Sequence, residues 1–270
     1  MKNILITGCN RGLGREVLSL LCKSPYPTNF VLAFRSSPDV LLSQLATSHP
    51  NHTFVYHNID LSDFSSISKF TSWYSSKIPP LSVLINNAGS GLFDDIMSKI
   101  TPDEQTIKIT LATNLYGLIR LTESLLSNME DDAKIVNVSA VMGQLNLQSP
   151  VIKQKLLNEN LETKDILQLA QSYEKQMLNK EDNGWNKSSY RASKALLNSY
   201  TRFVLPKMLK KTQSCVAVCP GWSKTDLGTD KAPASAKVGA EKIVFAMSQL
   251  GRNEYHGQFV SNNKIVKEGG

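Results

Sequence analysis

Tyr190 and Lys194 are the residues of this chain best suited to chemistry, because they stand four positions apart in the run SSYRASKA. On a helix this spacing places both side chains on one face. An ammonium group beside a phenol stabilises the tyrosinate, so Lys194 is predicted to lower the Tyr190 pKa from its ordinary value of about 10. Such a phenol could protonate the oxygen of a carbonyl group during reduction. The alternative is a surface pair on an amphipathic helix, which other motifs must exclude.

A glycine-rich turn, TGCNRGLG, follows the first apolar run of the chain and opens a helical pattern. Gly8 permits a tight turn, Gly12 lets the backbone approach a pyrophosphate group, and Gly14 allows close helix packing. Free amides at the helix N-terminus attract the anion. The spacing differs from the commoner G-x-G-x-x-G fingerprint, but the strand before it and the helix after it favour dinucleotide binding over a plain turn. The predicted cofactor-binding residues here are Gly8, Asn10, Arg11, Gly12, Leu13 and Gly14.

The end of the second strand indicates which dinucleotide is bound. An acidic residue there would bind an adenosine 2′-hydroxyl group, whereas an arginine would accept a 2′-phosphate. The strand ends with Arg35, and Arg11 in the glycine turn supplies a second guanidinium group. Because arginine suits bidentate phosphate contacts, the sequence predicts NADPH rather than NADH. The alternative is that Arg35 is a solvated loop residue.

Two further segments at strand ends are predicted to contact the cofactor. Asp60 and Leu61 follow the third strand, where the Asp60 carboxylate could accept a hydrogen bond from the adenine amino group or could cap the next helix. The run Asn87, Ala88 and Gly89 follows the fourth strand. Its short side chains would let the backbone pass close to a ribose, although the run by itself is also typical of a turn.

Short apolar runs alternate with longer stretches of helical period along the chain. This alternation predicts an α/β fold, a doubly wound Rossmann-type parallel sheet of about seven strands with helices on both faces. The seven runs are 4–7, 30–34, 53–57, 82–86, 134–138, 214–219 and 257–260, and helices are predicted over 12–23, 63–77, 102–129, 189–210 and 235–249. Periodic leucines over 149–185 predict a helical insertion before the Tyr190 helix. We expect residues 1–270 to form one domain.

Composition narrows the classes of protein to which the chain could belong. Its 270 residues are 41% hydrophobic and 20% charged, which is typical of a globular domain. No apolar run approaches the roughly 20 residues of a membrane helix, and the first strand begins too early for a signal peptide, so a cytoplasmic location without membrane contact is predicted. The four cysteines form no C-x-x-C pair, so no metal site is predicted. The net charge of +7 is scattered, so no nucleic-acid partner is predicted.

With these motifs the chain resembles the short-chain dehydrogenase/reductase family, and more closely its monomeric NADPH-dependent carbonyl reductases. The resemblance covers essentially the full length. Its motifs are TGCNRGLG at 7–14, NNAG at 86–89, TNLYG at 113–117, IVNVS at 135–139, Tyr190-x3-Lys194, and CPGW-x2-TD at 219–226. The features of the carbonyl reductases are the insertion before Tyr190, GW-x3-SY at 184–190, and HGQFVS at 256–261.

The resemblance implies an activity and roles for particular residues. Hydride would pass from NADPH to a small-molecule ketone, aldehyde or quinone while Tyr190 protonates the oxygen. Lys194 would also hold the ribose hydroxyl groups, and Asn114 would bind a water that connects Lys194 to solvent. Pro220, Gly221, Trp222 and Thr225 would close over the nicotinamide, and Met142, Trp222 and Phe93 would form apolar substrate walls, although each of these three could be plain core. The insertion would cover the tetramer surface of other family members, which implies a monomer.

One position departs from the family pattern. The serine whose hydroxyl group polarises the substrate carbonyl in relatives aligns with Ala140, and Ser139 stands one residue earlier. Successive side chains of a strand point to opposite faces, so Ser139 replaces that hydroxyl only through a local backbone change. Losing one such donor costs about 3 kcal/mol, or 10² to 10³ in rate.

The departure at Ala140 leaves several hypotheses open. We predict Ser139 as a fourth catalytic residue beside Tyr190, Lys194 and Asn114; otherwise another donor or a water acts, or the enzyme is slow. A second hypothesis is a catalytically weak dinucleotide-binding sensor or regulatory protein. A third is an alcohol dehydrogenase that oxidises with NAD, which Arg11 and the absence of an acid at the second strand end disfavour.

Overall fold

The computed structural model describes residues 1–179, 181–182 and 184–267, and a mostly parallel sheet lies at its centre. Within these residues the sheet contains eight strands, and a separate pair of short strands lies outside it. The strands of the main sheet are β1 (Lys2–Thr7), β2 (Thr28–Phe34), β3 (Thr53–Asn58), β4 (Leu81–Asn86), β5 (Met129–Val138), β6 (Ser214–Cys219), β9 (Gln258–Ser261) and β10 (Lys264–Ile265). The separate pair is β7 (Ser223–Lys224) and β8 (Ala234–Ser235).

The strand order is β10-β9-β6-β5-β4-β1-β2-β3, and all neighbours are parallel except β10 and β9. The seven predicted strands are confirmed as the seven strands of the main sheet that pair in parallel. β7, β8 and β10 were not predicted, because two residues are too few to show a pattern. The chain leaves β1 toward β2 on one side and returns to β4 on the other, and ligands of such sheets bind at the carboxyl ends of the strands around this switch point.

Helices cover both faces of the sheet, as predicted. Their bounds are α1 (Gly12–Leu21), α2 (Asp39–Ser48), α3 (Phe64–Lys77), α4 (Phe93–Ile96), α5 (Glu104–Leu111), α6 (Gly117–Leu125), α7 (Pro150–Leu156), α8 (Thr163–Asn179), α9 (Ser189–Ser199), α10 (Leu205–Met208) and α11 (Ala236–Gln249). The predicted helices 102–129 and 189–210 are each interrupted by a π-helical turn, at Ala112–Tyr116 and Tyr200–Val204. The weakly amphipathic α2 was missed.

Alternating side chains of the strands divide the core into two halves. Leu5, Leu84 and Ile135 point to one face, where they pack with residues of α3, α5, α6 and α9. Ile6 and Ile85 point to the opposite face and pack with α1 and α11. All five of these side chains are fully buried. Strands buried on both faces explain why their sequences are continuous apolar runs rather than alternating ones.

The segment 149–185, which is predicted to be a helical insertion, contains α7 and α8, while its positions 180 and 183 lie outside the described residues. The Tyr173 hydroxyl group donates to the Lys187 carbonyl oxygen at 3.1 Å. Gln176 and Trp185 exchange two hydrogen bonds, of 2.8 and 3.0 Å. These contacts tie α8 to the chain that enters α9. In the described part of the chain no helix combines the length and the apolar character needed to cross a membrane.

Candidate active site

Helix α9 brings Tyr190 and Lys194 to the end of β5. The helix begins at Ser189 because the Ser188 hydroxyl oxygen accepts a hydrogen bond from the Arg191 amide at 3.2 Å, as an N-cap serine does. The Lys194 ammonium lies 5.6 Å from the centroid of the Tyr190 ring and donates to the Val138 carbonyl oxygen at 2.8 Å. Both side chains are buried, and Tyr190 is 9% exposed. The predicted pair therefore shares one face at the carboxyl edge of the sheet.

The prediction that Lys194 lowers the Tyr190 pKa is wrong for this arrangement. Burial raises the pKa of the Tyr190 phenol, and nearby Cys219 adds a smaller upward contribution. Burial lowers the pKa of Lys194 to about 8. The reason is that both groups leave water, while the ammonium bonds to a carbonyl oxygen and faces the ring rather than pairing with the phenol oxygen.

Asn114 lies in the π-helical turn between α5 and α6 and is completely buried. Its side-chain oxygen accepts from the Ser90 amide at 2.7 Å. Its amide group donates to the Ser90 carbonyl oxygen at 2.8 Å and to the Ser193 hydroxyl oxygen at 3.1 Å. Both amide hydrogens are thus used to hold the segment after β4 against α9. The Asn114 amide hydrogens are therefore not available to a water of the predicted relay, and the relay itself stays a prediction.

The hydroxyl group of Ser139, which was predicted to be catalytic, is bonded to α9 in the structure. The Ser139 hydroxyl group donates to the Asn198 side-chain oxygen at 2.6 Å, and the serine is 2% exposed. The backbone stays extended at Ala140, with φ −152° and ψ 150°, so no local change turns Ser139 toward the face of its neighbour. Asn198 also donates to the Gly143 carbonyl oxygen at 2.9 Å. Ser139 therefore holds the end of β5 against α9.

Gly143 lets the turn after Ala140 lie directly on α9. A Cβ atom at Gly143 would be 2.4 Å from the Lys194 carbonyl carbon, which is closer than real contacts allow. We therefore expect Gly143→Ala to lower the free energy of unfolding by about 1–3 kcal/mol, the usual penalty of overpacking. Denaturant unfolding followed by circular dichroism measures this.

The matched control for Gly143→Ala is Gly89→Ala, whose added Cβ would be an ordinary 3.4 Å from the nearest atom, on Asn114. Both changes restrict the unfolded chain in the same way, so their difference reports the contact in the native state. Equal stability of the two variants would contradict the close contact between Gly143 and α9.

The glycine turn has the shape that a pyrophosphate site requires. Gly8 and Gly12 adopt φ of 65° and 56°, a left-handed conformation that favours glycine. A Cβ atom at Gly14 would be 2.4 Å from the Asn87 amide nitrogen. The side-chain NH₂ group of Asn87 donates to the Thr7 and Gly8 carbonyl oxygens at 2.9 and 3.0 Å. Gly14 therefore allows the close helix packing that was predicted, and the left-handed Gly8 and Gly12 give the turn a shape that fits the phosphate groups of a dinucleotide.

The two arginines predicted to select NADPH lie at the rim of the crevice and are exposed. Arg11 pairs with Asp226, and Arg35 lies 3.7 Å from the Asp60 carboxylate. Asp60 also accepts hydrogen bonds from the amide and hydroxyl groups of Ser62 at 2.9 and 2.7 Å. The Asp60 carboxylate thus binds its own loop, and Asp63 caps α3 instead.

Three other residues predicted to bind the cofactor lie at a cavity, in the core and against α11. Asn10 donates to the Ser36 hydroxyl group at 3.2 Å and lines a cavity of about 490 Å³ with Arg15 and Phe34. Leu61 is 4% exposed and belongs to the core. Leu13 packs against Gly239 of α11.

The segments 88–97 and 220–228 meet beside Tyr190. A Cβ atom at Gly91 would be 2.9 Å from the Tyr190 ring and 3.3 Å from the Leu227 side chain. The rings of Phe93 and Trp222 stack with centroids 5.8 Å apart and an interplanar angle of 21°. Trp222 also donates to the Gly228 carbonyl oxygen at 2.6 Å. The structure thus joins two of the three predicted apolar walls.

The other predicted residues of this region lie nearby in the fold. Met142 is half-buried in the turn that Gly143 ends, against α9. Thr225 lies over the glycine turn, since a Cβ atom at Gly12 would be 3.3 Å from its methyl group. Pro220 and Gly221 follow β6, and Gly221 has φ of 83°. Their contacts with a nicotinamide stay predictions.

Sequence reasoning missed Asp95, which is completely buried in α4. Its carboxylate accepts hydrogen bonds from the Ser189 amide at 3.0 Å, the Ser189 hydroxyl group at 2.5 Å and the Tyr190 amide at 3.1 Å. No local pattern marks an acidic residue that binds a helix 94 positions away. Among residues 1–179, 181–182 and 184–267, no cluster of three His, Cys, Asp or Glu side chains could hold a metal.

Comparisons with known proteins show which sequences and structures this chain is similar to. The family model described as short chain dehydrogenase matches residues 2–151. Carbonyl reductase (NADPH) 1 of Sus scrofa is 30% identical over 277 residues, which cover 98% of this chain and 93% of that protein. The chain is thus similar over nearly its full length to a protein named as an NADPH carbonyl reductase.

Two solved structures show the same fold. Salutaridine reductase from Papaver somniferum superposes with a TM-score of 0.82 at 24% identity, covering 96% of this chain and 99% of that one. The NADPH-bound carbonyl reductase from chicken fatty liver has a TM-score of 0.68 at 23% identity, with 98% of each chain covered. Because the family model matches more than half of the sequence and a full-length relative is 30% identical, this chain belongs to the short chain dehydrogenase family.

Proposed function

We propose that the protein reduces a ketone, aldehyde or quinone to an alcohol with NADPH, and that Tyr190 is the general acid. One observation carries this proposal: a single segment contacts both the glycine turn and the Tyr190 ring. Asn87 bonds to the carbonyl oxygens of the turn, and Gly91 lies against Tyr190. A dinucleotide whose pyrophosphate lies on the turn would therefore extend along this segment toward the phenol.

In this proposal the carbonyl carbon accepts a hydride and the carbonyl oxygen accepts a proton. Hydride donation is the chemistry that NADPH would supply when bound. Tyr190 donates its phenolic proton to the carbonyl oxygen, and the resulting tyrosinate takes a proton back from solvent. The raised Tyr190 pKa keeps the phenol protonated at neutral pH, so the proton is present when the alkoxide develops. Lys194, with a pKa of about 8, carries its charge at pH 7, so its ammonium group would hold the ribose hydroxyl groups of the cofactor.

Apolar groups beside Tyr190 would exclude water from the reacting carbonyl. Phe93 and Trp222 stack across the two segments, and Leu227 approaches Gly91. Trp222 is 43% exposed, so an apolar substrate would bury part of its ring. We infer that these side chains and Met142 line the substrate site.

Arg11 and Arg35 support the choice of NADPH over NADH. Both guanidinium groups form ion pairs at the exposed rim, and exposed ion pairs contribute little to the free energy of folding. A 2′-phosphate could therefore replace Asp226 as the partner of Arg11, or Asp60 as the partner of Arg35. Arg11→Ala and Arg35→Ala are each expected to raise the KM for NADPH by about 10- to 100-fold, the usual value of a lost charge-assisted hydrogen bond. The KM for NADH should change little.

Steady-state kinetics with both cofactors measures this preference, and the control is Arg252→Ala, an exposed arginine beyond the far end of α11. Equal losses with NADPH and NADH would contradict recognition of the 2′-phosphate. A wild type that prefers NADH to NADPH in carbonyl reduction, and that oxidises alcohols with NAD⁺ faster than it reduces carbonyls, would favour an NAD-dependent alcohol dehydrogenase instead.

The site at Ala140 favours a second candidate function, a dinucleotide-binding sensor or regulatory protein with little turnover. Ala140 offers no hydroxyl group, and the Ser139 hydroxyl group is bound to Asn198. Measuring NADPH oxidation at 340 nm with benzaldehyde, acetophenone and menadione separates the two functions, because a sensor would bind NADPH without oxidising it.

We further propose that residues 1–270 form one monomeric domain with a helical insertion over 149–185. Helix α8 packs on α9 and α5, the face that the family resemblance implies for tetramer contacts. Sedimentation equilibrium would check the monomer. A cytoplasmic location likewise stays a prediction.

A further inference from the structure

The first turn of α9 is capped by two residues that are far apart in the sequence. Ser188, the N-cap residue, accepts a hydrogen bond only from the Arg191 amide among the first amides of the helix. The amides of Ser189 and Tyr190 have no partner within the preceding turn of a helix, because the first helical donors never do. Both instead donate to Asp95 in α4, so the backbone amide of the proposed acid is itself bonded to this carboxylate.

Asp95 is well matched to this place. Its two oxygens accept from the Ser189 amide and hydroxyl group and from the Tyr190 amide, and the side chain is 0% exposed. A carboxylate at a helix N-terminus is also favoured by the helix dipole. Another hydrogen bond joins α4 to α9 nearby, since the Arg191 guanidinium group donates to the Ile96 carbonyl oxygen at 3.0 Å.

The same short segment that carries Asp95 also forms part of the proposed substrate site. Gly91 lies against the Tyr190 ring, and Phe93 stacks on Trp222. We propose that Asp95 is a positioning residue, which holds the Tyr190 hydroxyl group in register with this segment and so with the bound carbonyl. The inference rests on the proposed function, since it assigns Asp95 a role through Tyr190 rather than a contact with substrate.

The test compares Asp95→Asn and Asp95→Ala with the matched controls Asp94→Asn and Asp94→Ala. Asp94 is the adjacent residue, but it is exposed and only pairs with Lys99 at 3.8 Å. Turnover of menadione and benzaldehyde is measured with saturating NADPH. We expect Asp95→Ala to lower kcat by about 10²-fold, as a misplacement of about 1 Å can do, with little change in KM or in the Kd for NADPH. The kcat of Asp95→Asn should lie between those of the wild type and Asp95→Ala. The asparagine oxygen still accepts a hydrogen bond from one backbone amide, whereas its NH₂ group cannot accept one from the other.

Hydrogen exchange gives a second readout that needs no turnover. In Asp95→Ala the amides of Ser189 and Tyr190 should exchange faster in mass spectra of the peptide 186–196, and the Asp94 variants should match the wild type. A kcat unchanged in Asp95→Ala, or one lowered equally in the Asp94 variants, would overturn the positioning role. If the wild type itself shows no turnover, the proposed function fails separately, and the exchange of these two amides then decides the inference: continued protection in Asp95→Ala overturns it, and lost protection supports it.

Discussion

Tyr190→Phe is expected to lower kcat for carbonyl reduction by about 10²- to 10⁴-fold, the contribution of a positioned general acid. The Kd for NADPH should change little. The reason is that this substitution removes only the phenol oxygen, while the ring that Gly91 and the Lys194 ammonium contact is kept. Loss of NADPH absorbance with menadione and benzaldehyde measures turnover, and fluorescence titration measures NADPH binding.

The control for this prediction is Tyr74→Phe, which removes another buried phenol oxygen at a distance from the site. Tyr74 is fully buried in α3, and its hydroxyl group makes only a long contact of 3.5 Å with the Pro79 carbonyl oxygen. Its kcat should match the wild type. Turnover retained in Tyr190→Phe would mean that another group supplies the proton, and the proposed mechanism would be wrong.

Ala140→Ser is expected to raise kcat by about 10²- to 10³-fold if the absent hydroxyl group limits the rate, because one preorganised donor to a developing oxyanion contributes about 3–4 kcal/mol. The Ala140 side chain lies on the opposite face of the strand from Ser139, since the backbone is extended at this residue. It is 9% exposed, and the turn that follows lies against Lys194. Turnover of the same carbonyl probes measures the gain, with KM determined separately.

Ser139→Ala is the matched comparison, because it changes the neighbouring hydroxyl group that is bound to Asn198. We expect it to lower the free energy of unfolding by about 1–3 kcal/mol, as an unsatisfied buried partner does, and to leave kcat nearly unchanged. A large loss of kcat in Ser139→Ala would restore Ser139 to the catalytic group. Tight NADPH binding without turnover in the wild type and in Ala140→Ser would favour the sensor.

Much of the fold was predictable because its signals are local. The central strands β1, β2, β4 and β6 are short, mostly apolar runs, since burial on both faces favours apolar side chains at nearly every position. The turn from Gly8 to Gly14 was recognisable because a strand, three glycines and a helix follow one another directly. Helix α2 was not, because its apolar positions are only weakly periodic. The two-residue strands and the two π-helical turns are set by neighbouring elements and leave no pattern of their own.

The site divides in a similar way. The pairing of Tyr190 with Lys194 follows from helical spacing, and the missing hydroxyl group at Ala140 is visible in the sequence alone. The direction of the Ser139 hydroxyl group depends on Asn198, which is 59 positions away. The residues around Ser139 do not indicate this partner. The raised Tyr190 pKa depends on burial, which only the packed structure determines.

The sequence by itself therefore determined the layered α/β architecture, the glycine turn and the helical face that carries Tyr190, because these depend on the types and spacing of neighbouring residues. Only the tertiary structure decided that Asp95 binds the first turn of α9 and that Arg11 pairs with Asp226. These contacts join residues that are far apart along the chain. Such partners are selected by how strands and helices pack around the crevice, and no local pattern records that choice.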